Sequence, residues 1–408
     1  MATGTAGPLA GIRVLDLSRI LAGPSCTQLL GDLGAEVFKI ERLGAGDDTR
    51  KWGPPYVKDA NGEDTSESAY YLCANRNKKS IAVNLADPDG AEIVRKLADH
   101  CDILIENFKV GGLKAYGLSY EDLQHSHPRL IYCSITGYGQ TGPNRNKPGY
   151  DAMAQGYGGI MSLTGEPDGQ PMKVAVGISD IMCGMYASTA ILAAMRHRDK
   201  TGEGQQIDLS LVDTQISWLI NEGTNYLTSG IAPKRRGNGH PNIVPYQTFK
   251  ASDGHVIVAV GNDTQYQRFC DVIGRPDLAA DPRFDTNTKR LAEREVLVPI
   301  IAEAIAPLAK DGLLEALAQA KVPAGPVHTL PEVFATDQVE ARDMKITMDH
   351  PVSGSGTVDL IGNPIRFSKT PVTYRIPPPL CGADTDSVIG ELLGPDVLAE
   401  AKARGVVG

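Results

Sequence analysis

The residue best placed for chemistry in this 408-residue sequence is a carboxylate. Asp180 stands just before Met182–Met195, an almost wholly apolar run, with Ser179 available as a helix cap. At a helix start the macrodipole and the free N–H groups favour the ionised form of a carboxylate. A positioned, ionised carboxylate can attack an activated acyl group. Aspartate also favours first turns for structural reasons alone. Here, however, it follows a glycine-rich stretch, Gly149–Gly165, and opens a helix expected to be buried on nearly every side. The pairs Gly158-Gly159 and Gly237-Asn238-Gly239 are either ordinary turns or backbone donors for an oxyanion, each such donor worth about 3 kcal/mol. Arg42, Arg76, Lys78 and Lys79 sit near expected strand ends, as phosphate partners or as solvated surface. Together these residues describe an anion-binding site with a buried carboxylate.

Several familiar chemistries are missing. Gly23 stands alone in Ala22-Gly23-Pro24-Ser25, so the G-x-G-x-x-G of a dinucleotide site is absent. Neither a phosphate-binding G-x-x-x-x-G-K-[ST] nor a G-x-S-x-G elbow occurs. The seven cysteines never form Cys-x-x-Cys and no HExxH is present, which predicts a metal-free protein of a reducing compartment, read as cytoplasmic. The 40 basic residues face 49 acidic ones, a net charge of -9, and this argues against nucleic acid or an anionic membrane as partner. The first residues resemble neither a signal nor a transit peptide, and uninterrupted apolar runs fall short of the roughly 18 residues of a membrane span.

Short β-branched runs alternate with helical patterns through the first half. Strands are expected at Ile12–Leu17, Glu36–Ile40, Ser80–Leu85, Asp102–Glu106, Leu130–Ile135 and Gln206–Leu211, with helices at Cys26–Leu33, Gly90–Asp99 and Met182–Met195. That alternation predicts an α/β fold with a mostly parallel, doubly wound sheet, whose ligands bind beyond the carboxyl ends of the strands. The character changes near residue 228, where Thr228–Pro245 is dense in Gly, Pro, Asn and basic residues. A second, smaller unit follows, with a strand at Val256–Val260 and helices at Gln265–Ile273, Arg290–Ala306 and Asp311–Gln319.

The ordered motifs Pro8-Leu-Ala-Gly-Ile-Arg-Val-Leu-Asp-Leu-Ser18, Ala22-Gly-Pro24 and Leu33-Gly-Ala-Glu-Val-Phe-Lys-Ile-Glu-Arg42 resemble the family III coenzyme A transferases. The likeness continues through Asn77-Lys-Lys-Ser-Ile81, Glu106-Asn-Phe108, Gly137-Tyr-Gly139, Gly149-Tyr-Asp-Ala-Met-Ala-Gln-Gly156, Lys200-Thr-Gly-Glu-Gly-Gln205 and Gly325-Pro-Val327. The resemblance implies a Rossmann-like large domain over residues 1–225, a small inserted α/β domain over 226–335, and a linker with return to the large domain over 336–408. It also implies an interlocked homodimer.

By the same resemblance Asp180, upstream of Gly184-Met185, is the nucleophile of a ping-pong exchange through an aspartyl anhydride and an aspartyl-CoA thioester. Coenzyme A and its acyl thioesters are substrates there, and no permanently bound cofactor or metal is implied. Arg42, Asn107, Phe108, Gly137, Tyr138 and Ala22 match CoA-binding positions. Arg19 and Leu21 stand where formyl-CoA transferases carry His and Gln, so a formyl or oxalate substrate is not expected. The glycine cover of the site is represented by Gly237, Gly239 and His240, and Arg236 beside it is a candidate partner for the distal carboxylate of a dicarboxylic acid. Tyr150 replaces the His that the related α-methylacyl-CoA racemases use, and an ordinary phenol, with a pKa near ~10, is a poor proton shuttle. The reading is therefore CoA transfer between succinyl-CoA and a small dicarboxylate, with racemisation and non-catalytic CoA binding as alternatives.

Overall fold

Six of the β-branched runs form one parallel sheet in the computed structural model, which describes residues 7–408. The strands are β1 (Arg13–Asp16), β2 (Glu36–Arg42), β3 (Lys78–Val83), β4 (Ile103–Glu106), β5 (Ile131–Thr136) and β6 (Gln206–Ser210). Their order is β3-β2-β1-β4-β5-β6, and every neighbouring pair is parallel. Alternate side chains feed two cores, as the two-residue period of a strand requires. Leu15, Phe38, Ile81, Leu104 and Tyr132 face one layer, which holds α2 (Pro88–Ala98) and the C-terminal Val388, Ile389 and Ala401. Val14, Val37, Ile103, Ile131 and Cys133 face the other, with α1 (Ala22–Asp32) and α4 (Ile178–Thr201) packed on them. Two shorter helices, α3 (Asp151–Tyr157) and α5 (Leu211–Ser217), flank the start of α4. The strand order reverses between β1 and β4, and at such a switch point the loops diverge and leave a crevice.

The chain divides into two compact units. One comprises the residues up to Gly159, Val174–Trp218 and Glu340–Gly408; the other comprises Ile160–Lys173 and Leu219–Val339. A buried carboxylate is one of the ties between the late return segment and the sheet of the first unit, beside bonds such as Arg76 to Ile361 O and Arg375 to Gly31 O. Asp32 accepts hydrogen bonds from Arg76 Nε and Nη2, at 2.9 and 2.6 Å, from Asn77 Nδ2 at 2.8 Å and from Asn363 Nδ2 at 2.9 Å. The second unit has its own core around Phe249, Val256, Val258, Phe269, Leu297 and Ile301. Its fully buried Arg290 donates to the carbonyls of Val244 and Phe284 and to Asp263, and lies over the Tyr266 ring.

Four features differ from the sequence expectations. Arg76 and Lys78 are buried in pairs with Asp32 and Asp16, so their charges serve the interior and not a ligand. The expected helix Arg290–Ala306 is two helices, Asn287–Ala292 and Arg294–Ile305, separated at Glu293. The 24-residue α4 is long and apolar enough, by length and composition, to cross a bilayer, because scattered polar residues do not lower its average enough to exclude it. It is also only half buried within the chain, with Met185, Tyr186 and Leu192 exposed along one face.

Removing the Asp32 acceptor takes a partner from three buried side chains at once. Asp32→Ala is expected to lose about 3–5 kcal/mol in urea unfolding. Hydrogen exchange in the Asn363–Ile376 segment should rise before exchange in β1 and β4.

Candidate active site

The reversal of strand order is occupied by a cavity of about 660 Å³ at the carboxyl ends of β1, β4 and β5. Arg19 and Ala22 reach it from the loop after β1 and the start of α1, Asn107 and Phe108 from the turn after β4, and Gly137 from the end of β5. Asp180 completes it from the start of α4.

Each wall has a local cause. At the end of β1, Asp16 accepts from Ser18 N at 2.9 Å and from the hydroxyls of Ser18 and Thr27 at 2.5 and 2.6 Å, which turns the chain out of the sheet. Burial alone would raise the Asp16 carboxyl, but the Lys78 and Lys39 ammonium groups outweigh it and hold it low. After β4, the Glu106 carboxylate accepts from Phe108 N at 2.8 Å and fixes the turn. Burial pushes that carboxyl up to about 7. Asn107 clasps the opposite loop through its side chain: Arg19 N donates to Oδ1 at 2.9 Å, and Nδ2 donates to Arg19 O at 2.7 Å. The Arg19 guanidinium lies 5.7 Å from the Phe108 ring centroid and pairs with Asp48 at 2.7 Å. Behind Gly137 the chain returns so closely that a Cβ there would sit 2.6 Å from Gly149 Cα, so both positions need glycine.

Asp180 is nearly buried, at 8% exposure. Ser179, expected to cap the helix, instead donates its hydroxyl to Gln215 at 2.7 Å. Asp151 does the capping: its Oδ1 accepts from Ser179 N at 2.8 Å and more weakly from Asp180 N at 3.4 Å, while Gln155 holds its other oxygen at 2.7 Å. The helix-end donors are therefore spent on Asp151. Burial, and secondarily the Asp151 charge, push the Asp180 carboxyl up to about 7, with no donor countering them among the described residues. The dipole argument from sequence foresaw a firmly ionised group; desolvation wins because its neighbour took the donors.

Of the residues singled out from sequence, Arg19, Ala22, Asn107, Phe108, Gly137, Tyr150 and Asp180 share this cavity. Arg42, at the end of β2, lies 3.7 Å from the cavity-lining Asp48. Tyr138 packs edge-on against Tyr157 at 5.2 Å. Arg236, Gly237, Gly239 and His240 belong to the second unit. There Arg236 pairs with Glu222 at 3.1 Å, Gly237 N donates to Gly165 O at 3.1 Å, Gly239 N donates to Arg236 O at 3.0 Å, and His240 stacks on Tyr246 at 4.9 Å. Sequence reasoning missed Asp151, Trp52 and the cations Lys109, Arg145 and Lys147. Three basic residues flanking two glycine-marked turns were a usable signal for the last group. Among the described residues no three His, Cys, Asp or Glu converge as a metal-ligand group.

Residues 9–385 match the family described as CoA-transferase family III. The succinate–glutarate CoA-transferase of Agrobacterium fabrum is 47% identical over 386 residues, covering 94% of this chain and 96% of that protein. The Homo sapiens succinyl-CoA:glutarate CoA-transferase is 42% identical over 402 residues, covering 98% and 90%. A crystal structure of a CaiB/BaiF family protein from Brucella suis superposes with a TM-score of 0.84 at 46% identity, covering 95% of this chain and all of that one.

The raised Asp180 carboxyl has a signature in stability. Its folded-state pKa, about 7, exceeds that of an unfolded carboxyl near ~4, so its contribution is full below pH ~4 and is lost as pH rises through ~7. Asp180→Asn is therefore expected to exceed the parent by about 2–4 kcal/mol at pH 8, with the two converging near pH ~4. Urea unfolding at both pH values checks this.

Proposed function

This chain belongs to CoA-transferase family III and is a CoA-transferase; on that premise we propose that it moves CoA from succinyl-CoA to a small dicarboxylate such as glutarate, with Asp180 as nucleophile. The observation that carries the reading is a buried, donor-poor carboxylate at the edge of a cation-lined cavity. In this mechanism an Asp180 oxygen attacks the succinyl thioester carbonyl, and the C–S bond breaks to release CoA thiolate and leave a mixed anhydride. The thiolate returns to the aspartyl carbonyl, succinate departs, and an aspartyl-CoA thioester remains. The acceptor carboxylate then attacks that carbonyl and expels the thiolate, which takes the acceptor acyl group and frees Asp180. One thioester replaces another, so no external energy source is needed. Water must be kept from the anhydride, which suits a carboxylate as buried as Asp180.

The charges around the cavity divide the work. Lys109, Arg145 and Lys147 suit the CoA phosphates, with Arg42 at the outer end. Asn107, matched by resemblance to a CoA contact, has its side chain committed to the Arg19 backbone, so its part is to hold the wall. Arg19 shares the cavity with Asp180 and by that position suits the far carboxylate of a dicarboxylic acid, whereas Arg236 belongs to the second unit; both already have an acidic partner, Asp48 and Glu222. Tyr150 in place of an imidazole favours transfer over racemisation. The exposed apolar face of α4 supports a homodimer, interlocked as the family resemblance implies, with the second unit as the inserted small domain. The seven free cysteines suit a cytoplasmic setting.

Purified protein incubated with succinyl-CoA and a panel of free acids should yield new acyl-CoA species by mass spectrometry, dicarboxylates foremost. Asp180→Ala should lower turnover by at least about 10³-fold while CoA binding persists. In the parent enzyme kcat/KM should rise with pH and level off above about 7. Arg19→Ala should raise the KM for dicarboxylates roughly tenfold and spare monocarboxylates. If Arg236→Ala does so instead, the distal carboxylate belongs with the second unit.

A further inference from the structure

Ile20 stands in the cavity wall with a φ of +72°, in the left-handed region that β-branched residues rarely adopt. Such a conformation persists only where the surroundings over-determine it. Here the chain on its N-terminal side is held from two directions. On the solvent side, Asn107 grips both backbone groups of Arg19. On the interior side, Asp47 accepts from Ile20 N at 3.3 Å, and Lys39 donates to Ser18 O at 3.0 Å and to Asp47 at 2.9 Å. The Lys39 and Asp47 side chains are both fully buried. Asp47 is itself fixed, because its Oδ1 accepts from the backbone N–H and hydroxyl of Thr49 and its own N–H donates to Glu41. Neither Lys39 nor Asp47 lines the cavity.

We propose that the buried Lys39–Asp47 pair positions the reaction: it pins the Ser18–Ile20 backbone with Ile20 in its strained conformation, and so sets the wall that faces Asp180. This rests on the transferase reading above, and names residues that act through the loop without touching substrate. An ion pair with no solvent contact is a costly way to obtain stability alone, since apolar side chains of similar size would do as well. What this pair supplies, and an apolar pair would not, is an acceptor for Ile20 N and a donor for Ser18 O. When the pin is lost, Ile20 relaxes toward negative φ and the loop moves away from the nucleophile. The cations suited to the CoA phosphates lie on other loops and stay in place.

The test is a cycle of four chains: parent, Asp47→Asn, Ile20→Gly and the double variant. A misplacement near 1 Å costs about 100-fold in rate, so Asp47→Asn should lower kcat by about 10- to 100-fold, with the Kd for free CoA changing less than about threefold. Glycine adopts a positive φ freely. The double variant should therefore recover to within about threefold of the kcat of Ile20→Gly alone. Urea unfolding gives a readout independent of turnover: Asp47→Asn should lower the midpoint less in the glycine background than in the parent. Should Asp47→Asn fail to fold, the apolar pair Lys39→Met with Asp47→Leu replaces it in the same cycle. Additive effects in both kinetics and unfolding, or a weakening of free CoA binding that accounts for the whole loss, overturn the proposal. A parent chain that transfers CoA to no acid would sink the transferase reading instead, and the unfolding cycle would still decide whether the pin holds Ile20.

Discussion

Asp151 takes the hydrogen bonds that the start of α4 has to give, and Asp180 is left buried without them. Much of the site follows from that allocation. A helix N-terminus is a ready partner for negative charge, and two aspartates compete for this one. The winner becomes a fixed cap, further tied by Gln155; the other keeps a carboxylate whose charge nothing nearby has neutralised. For the second group to remain in place, α4 must be held by packing, and the apolar contacts of Cys183, Ala187 and Ile191 with α1 and the sheet provide it. The apolar character of α4 is thus a condition for a buried, unneutralised carboxylate at its first turn.

The remainder of the cavity is held by charges that never reach solvent. Lys39, Lys78, Asp16 and Asp47 lie behind the loop after β1, all fully buried. Arg50 joins Glu41 and Glu67 nearby, stacked over the Tyr71 ring at 3.6 Å. Desolvating so many ions is costly, and hydrophobic replacements are often no less stable. What distinguishes ions here is reach and direction: Lys39, Asp16, Asp47, Glu41 and Arg50 bind backbone groups of irregular segments that no strand or helix would satisfy. A loop built this way holds one conformation, as the proposed alignment of Asp180 with a thioester would require.

The parallel sheet was legible because β-branched runs of five or six residues recur with helical patterns between them, and every strand but the edge strand β6 is largely buried on both faces. Asp180 was legible because a carboxylate interrupts an otherwise apolar stretch. The Glu106-Asn107-Phe108 turn could be placed, but not the use of Asn107, since its partner is the backbone of Arg19, 88 residues earlier. Asp32 and Asn363 are 331 residues apart, and no local pattern joins them. Lys39 lies within Val37-Phe38-Lys39-Ile40, where its neighbours read as a buried strand and its own charge reads as an exception. Periodicity reports which face a residue occupies; it is silent about which distant group shares that face. Buried pairs, caps from other elements and the division of cations among loops are all of that second kind.

A carboxylate raised to about 7 also suits the proposed chemistry energetically. The energy of a mixed anhydride depends on how good a leaving group each acid is, and a less acidic partner makes a less activated anhydride. Nucleophilicity rises in the same direction, because a poorly solvated, more basic oxygen attacks more readily. The cost is the fraction of enzyme in the ionised form, about half at pH 7, a loss of only about twofold. A barrier lowered by even 1.4 kcal/mol returns tenfold. Pushing the carboxyl much higher would reverse that balance, since each further unit costs tenfold in ionised enzyme for a smaller gain in attack.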